Sequence, residues 1–96
     1  MKALPENLTV KQSNIDGLGL FALNDIDKDI CLGISHIKCN EFPNGYARTP
    51  LGGFYNHSDN PNIKGVTSGE FIYLKTIKRI KAGEELVGKY NMYSIK

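Results

Sequence analysis

YNHSDNPN, residues 55–62, holds three asparagines, a histidine, an aspartate and a proline in eight positions, directly after Gly52-Gly53-Phe54. Asn and Asp side chains bond nearby backbone and Pro presets φ, so the stretch is a preorganised turn whatever else it does. Two uses fit it. It is either a loop whose amide side chains satisfy its own backbone, with His57 as a hydrogen-bonded core residue, or a ligand holder. The second use draws on the side chains of Asn56, Asn60 and Asn62, backbone groups freed near Gly52, Gly53 and Pro61, and the His57 ring. It contains no obvious catalytic base.

The flanking sequence reads as short strands. No window of eleven or more residues holds an i, i+3, i+4, i+7 apolar stripe free of Gly, Pro or Asn. LTVKQS from Leu8, GLFAL after a glycine-rich turn, and the longer DICLGISHI at 29–37, broken by Gly33, read as the early strands. Residues 39–62 read as loop, punctuated by Pro43, Gly45, Pro50, Gly52, Gly53 and Pro61. Beyond them NIKGVT and EFIYLKTI flank a hairpin with Ser68-Gly69 in its turn, and KAGEEL turns into a last strand, ELVGKY. About seven strands at this spacing predict an all-β domain with little or no helix.

Ninety-six residues suit one small domain, with a shallow rather than enclosed site. Twelve Lys+Arg against ten Asp+Glu give +2, which lends little support to nucleic acid as the main partner. The one basic run, LKTIKRIK at 74–81, alternates Lys75, Lys78, Arg79 and Lys81 with Ile77 and Ile80, the pattern of a solvated strand face. Cys31 and Cys39 form neither a metal spacing nor a disulfide framework and are read as reduced, buried thiols. The N-terminal MKALPENLTV lacks a signal peptide's apolar run, and nothing approaches the ~20 apolar residues of a membrane span. An intracellular, cytoplasmic protein with no membrane partner is expected, inside a host cell if the source is viral.

Three segments, in one order, resemble the SET domain of protein-lysine methyltransferases. DGLGLFAL (16–23) resembles its N-terminal GxG motif, YNHSDNPN its NHSxxPN signature, and IKAGEELVGKY (80–90) its closing GEELxxxY signature. The resemblance spans Val10 to Tyr93 and implies one minimal SET domain over residues 1–96. The implied fold is mainly β, with several short sheets and a knot-like threaded C-terminal segment beneath the NHSxxPN loop. It implies S-adenosylmethionine as cofactor and methyl transfer to a lysine amine of a protein or peptide substrate. By the same resemblance Gly17, Leu18 and Gly19 would offer backbone groups to the cofactor's methionine end. Asn56 would bond that end, and His57 would meet adenine through its backbone. Tyr90 would be the catalytic tyrosine, touching cofactor and lysine channel alike, with Tyr55, Tyr73 and Tyr93 as further channel residues.

The chain also departs from the family pattern. The segment that carries much of the family's substrate groove, with a helix, is cut to IKCNEFPNGYARTPLGGF, and two expected channel aromatics fall near Ile34 or Ser35 and on Gly65. Only NMYSIK follows Tyr90, without a zinc-binding cysteine cluster, so no metal is expected and Met92 or Tyr93 is left to cover adenine. An unfinished groove leaves a homodimer open. The competing functional reading is a catalytically weakened SET scaffold that binds cofactor or peptide. A small β-barrel binding single-stranded nucleic acid through Phe71 and Tyr73 would leave all three motifs unexplained.

Overall fold

Alternating burial builds the first hairpin. In the computed structural model, which describes residues 5–41 and 45–89, β1 (Leu8–Gln12) and β2 (Leu18–Ala22) pair antiparallel with Leu8 opposite Ala22 and Val10 opposite Leu20. Those four positions share one face, and Leu8, Leu20 and Ala22 are buried there. On the other face the Lys11 ammonium lies 4.8 Å from the centre of the Phe21 ring, shielding it in part.

The second unit is a hairpin extended on one side. β6 (Ile63–Ser68) and β7 (Phe71–Thr76) pair antiparallel, with Ser68 opposite Phe71 around a two-residue loop of Gly69 and Glu70. Gly69 has φ 59°, which a residue with a side chain rarely adopts, so the turn sits one residue later than the expected Ser68-Gly69. β7 buries Ile72, Leu74 and Thr76 and turns Phe71, Tyr73 and Lys75 the other way. β3 (Cys31–Lys38) pairs with β7 through two register shifts, and β4 (Tyr46–Arg48) closes that edge against β3.

β8 (Glu85–Gly88) joins the two units. It runs antiparallel to β2 and parallel to β5 (Asn56–His57) and β6, giving the order β1-β2-β8-β6-β7-β3-β4 with β5 beside β8. Its Leu86 packs into a core with Leu20, Ile63, Leu74 and Ile80, all at 0–1% exposure. Each such side chain is worth about 1.5–3 kcal/mol of burial, so the joining strand is held by apolar area as well as by its ladders. The architecture is mainly β, as expected, with the strands joined into one curled sheet; the C-terminal segment expected to thread beneath the NHSxxPN loop lies, beyond Lys89, outside the described residues.

The region read as loop contains more structure than its punctuation suggests. Besides β4 and β5 it holds a five-residue helix, α1 (Pro50–Phe54), capped by Thr49, whose Oγ1 accepts from the Gly52 amide at 3.3 Å, with Pro50 in the first turn. Gly52 is needed there because a Cβ would lie 2.1 Å from the Ser35 carbonyl oxygen. What reads locally as a helix breaker is a contact point with β3. Cys31 is also a correction: both thiols are free, but Cys31 is exposed at the start of β3 opposite Lys75, and Cys39 is half-buried. The basic run is as expected, with Ile80 buried and Arg79 exposed and paired with Asp25 and Asp27.

Candidate functional site

The three motifs meet at Asn56. Its side chain lies between the loop before β2 and the start of β8, in a residue only 9% exposed. Nδ2 donates to the Asp16 carbonyl at 3.2 Å, the Leu18 carbonyl at 3.2 Å and Glu85 Oε2 at 2.9 Å. All three partners are acceptors, so the amide nitrogen must face them. Among the described residues nothing donates to Asn56 Oδ1, which remains an available acceptor.

Glu85 ties the same loop from the other side. Ser13 Oγ lies 2.8 Å from both carboxylate oxygens and in turn accepts the Ile15 amide at 2.9 Å. The Ser13 amide donates to the Gly17 carbonyl at 2.8 Å, closing the turn that Gly17 enters with φ 45°. Gly19 is buried against this cluster: a Cβ there would meet Glu85 Oε2 at 2.2 Å and Asn56 Nδ2 at 3.1 Å. Gly17 and Leu18 are exposed, so their backbone is reachable from solvent.

Asn62 braces the other end of YNHSDNPN. Its Oδ1 accepts the Val87 amide at 2.8 Å, its Nδ2 donates to the Glu85 carbonyl at 2.9 Å, and its own amide donates to the Val87 carbonyl at 2.9 Å. Buried amides so paired hold β8 against the loop more specifically than apolar contact alone. Successive strand residues face opposite ways, and the adjacent carboxylates obey this. Glu84 is exposed and accepts the Lys81 amide at 3.0 Å, whereas Glu85 points to Ser13 and Asn56.

The remaining expected residues are dispersed. The His57 ring is exposed with Nε2 3.3 Å from Asp59 Oδ1, while its backbone pairs with Gly88 on β8. Tyr55 is buried, its ring so close to Gly88 that a Cβ there would lie 2.9 Å from Cε1. Tyr73 is half-buried on the outer face of β7, edge-on to Phe71 at 6.2 Å, and makes no hydrogen bond with the Asn56 cluster among the described residues. Tyr90, Tyr93 and Met92 lie outside the described residues; β8 ends at Gly88, two positions before Tyr90.

Two contributors were not among the expected site residues. Ser13 and Glu85 are 72 positions apart and of common residue types, and nothing in the chain's periodicity links them. Glu85 could have been found only by asking which acidic residue of GEEL lies on the side of β8 that faces β2. A second polar pair, Ser35 and His36, is buried in β3 instead. Ser35 Oγ lies 2.8 Å from His36 Nδ1 and donates to the Ile72 carbonyl at 3.1 Å. Burial, assisted by the positive charge of Arg48, holds the His36 imidazole below its ordinary pKa.

Comparison with known proteins identifies the family and the fold. The SET domain family model matches residues 34–91, well over half of the chain. A SET domain-containing protein of Acanthamoeba polyphaga mimivirus is 36% identical over 84 residues, covering 84% of this chain and 33% of the viral protein. The chain thus spans about a third of that relative's length. Among solved structures, a candidate histone methyltransferase of Plasmodium falciparum superposes with a TM-score of 0.71 at 23% identity, over 97% of this chain and 100% of that one. The methyltransferase domain of human PR domain-containing protein 2 gives 0.69 at 23% identity, over 88% and 77%. The Chaetomium thermophilum Polycomb complex bound to S-adenosylmethionine gives 0.69 at 21%, over 92% of this chain and 16% of the other. These structural likenesses speak for the fold, the family match for descent, and the chain belongs to the SET-domain family.

Proposed function

We propose that this chain is an S-adenosylmethionine-dependent methyltransferase acting on a lysine side-chain amine of a protein substrate. The observation that carries the reading is the convergence of the GxG turn, NHSxxPN and GEEL on one amide, Asn56. The residues present suit the cofactor's methionine end. An ammonium group needs acceptors, and the cluster supplies Asn56 Oδ1 beside an exposed Gly17-Leu18 backbone.

The bound cofactor supplies an electrophilic methyl group on a sulfonium. The protein's own residues must do three things: hold that methyl in line, admit the amine, and keep the amine neutral. At a pKa near 10.4 a free lysine is neutral about once in a few thousand at pH 7. A channel that excludes water lowers that pKa, each unit being worth about 1.4 kcal/mol. Holding amine and methyl in line supplies several kcal/mol more. A lysine that has given its proton to solvent on entry would be held by the chain's residues as a neutral amine facing the donor's methyl, so no acid or base side chain is required. Tyr90, by its place in GEELxxxY, is assigned to orient the amine, with Tyr55, Tyr73 and Tyr93 as channel candidates. His57 serves through its backbone on β5, its ring being engaged with Asp59.

The test is incubation with cofactor labelled in its methyl group and an extract of host proteins. Labelled lysine with the wild-type chain, falling to background with Tyr90→Phe, is expected. Cofactor binding without any labelled lysine would leave a binding module on a SET scaffold, the reading that the shortened segment before Tyr55 favours.

A further inference from the structure

Glu85 is a half-buried carboxylate with an unusual set of partners. Its oxygens accept from a hydroxyl, Ser13 Oγ, and an amide, Asn56 Nδ2, and among the described residues no cation pairs with it. Among those residues the charge is met by hydrogen bonds and not by a counter-ion. The geometry also makes it a latch. Ser13 Oγ passes the hold to the Ile15 amide, and Asn56 passes it to the Asp16 and Leu18 carbonyls, so one carboxylate restrains the whole 13–18 turn. Gly19 belongs to the same arrangement, since any side chain there would displace the carboxylate.

We propose that Glu85 is a positioning residue that latches the 13–18 turn onto Asn56, and that its negative charge favours the positively charged methyl donor over the neutral S-adenosylhomocysteine left after transfer. This rests on the assignment of the cofactor site above. The physical reason is simple. S-adenosylmethionine carries one more positive charge than its demethylated product, the two are otherwise nearly the same shape, and a fixed anion nearby separates them by Coulomb energy alone. Preference for donor over product limits product inhibition.

Two variants and two readouts test this on the full chain. Glu85→Gln keeps the shape and the acceptor facing Ser13 and Asn56 but removes the charge; Ser13→Ala removes the link to Ile15. Calorimetry with each nucleoside is expected to show Glu85→Gln weakening S-adenosylmethionine by roughly tenfold while changing S-adenosylhomocysteine less than about twofold. Ser13→Ala is expected to weaken both alike. Hydrogen exchange of the Ile15 amide in the cofactor-free chain reads the latch by itself, and it is expected to speed up at least about tenfold in Ser13→Ala. Equal loss of both nucleosides in Glu85→Gln, or no loss in a variant that melts like wild type, overturns the charge preference. Unchanged Ile15 exchange in Ser13→Ala overturns the latch. If wild type binds neither nucleoside, the cofactor assignment fails and takes the charge preference with it, while the exchange result still decides the latch.

Discussion

Residues 55–62 and 46–54 are neighbours in sequence but are held by different physics. The first stretch is stitched to distant strands by amide side chains: Asn56 reaches the turn before β2 and Asn62 reaches β8. The second docks on β3 mainly through backbone and close fit, by the β4 ladder, the Thr49 amide on the Ser35 carbonyl at 2.9 Å and Gly52 against Ser35, with the Thr49 hydroxyl on the Ile34 carbonyl at 2.6 Å as a side-chain clasp. Directional bonds demand particular residue types, whereas close approach demands only that something small be present. Failure in the first region should therefore appear as lost specificity and binding, and in the second as lost stability.

The largest expected effect lies in the docked segment. Gly52→Ala drives a methyl into the Ser35 carbonyl, a backbone atom that cannot turn aside, and should cost at least about 3 kcal/mol in denaturant unfolding. A cost under 1 kcal/mol would show that α1 shifts freely on β3 and would erase the contrast. Next comes Asn62→Ala, which strands the buried Val87 amide and the Glu85 carbonyl; about 2–3 kcal/mol is expected, measured the same way. Gly19→Ala sharpens the comparison. Its clash, nearly as short as that of Gly52, is with the tip of Glu85, a side chain able to swing away. Stability should fall by only about 1 kcal/mol, while calorimetry should find weaker S-adenosylmethionine binding because the latch has opened. Thr49→Val removes the α1 cap and should cost about 1 kcal/mol.

The smallest effect is a pH dependence local to β3. His36 is buried with its pKa depressed, so the unfolded chain binds the proton more readily than the folded one. Its contribution is complete above the ordinary histidine value of about 6.5 and is lost as pH falls from there toward the folded pKa. Unfolding midpoints should therefore decline on acidification through this window in wild type, and less so in a His36→Phe variant. An identical decline in both would place the titration elsewhere.

The strands were legible in the sequence because alternation is local: Leu8 and Val10, or Ile72, Leu74 and Thr76, declare a face by themselves. Asn56 drew notice only through the resemblance of YNHSDNPN, with its two companion segments, to the SET-domain signatures, since amides and a proline alone fit a self-satisfied turn as well. α1 was not legible. Thr49-Pro50 is a fair helix start, but Gly52-Gly53 reads as a breaker unless the nearness of Ser35 is known, and that contact belongs to tertiary structure. β4, at three residues, is too short for any period to register. The Ser13–Glu85 link escaped for a third reason: only the pairing of β2 with β8, Phe21 opposite Glu85, carries that carboxylate to the turn before β2.

Asn56 is the hub of the proposed cofactor site. The most direct test of that role is calorimetric titration of the chain with S-adenosylmethionine, wild type beside Asn56→Ala, with melting curves taken on both. Saturable one-site binding by wild type, weakened at least about tenfold in a variant that still melts cooperatively, is predicted. Equal binding by the two proteins, or no binding by wild type, would contradict it.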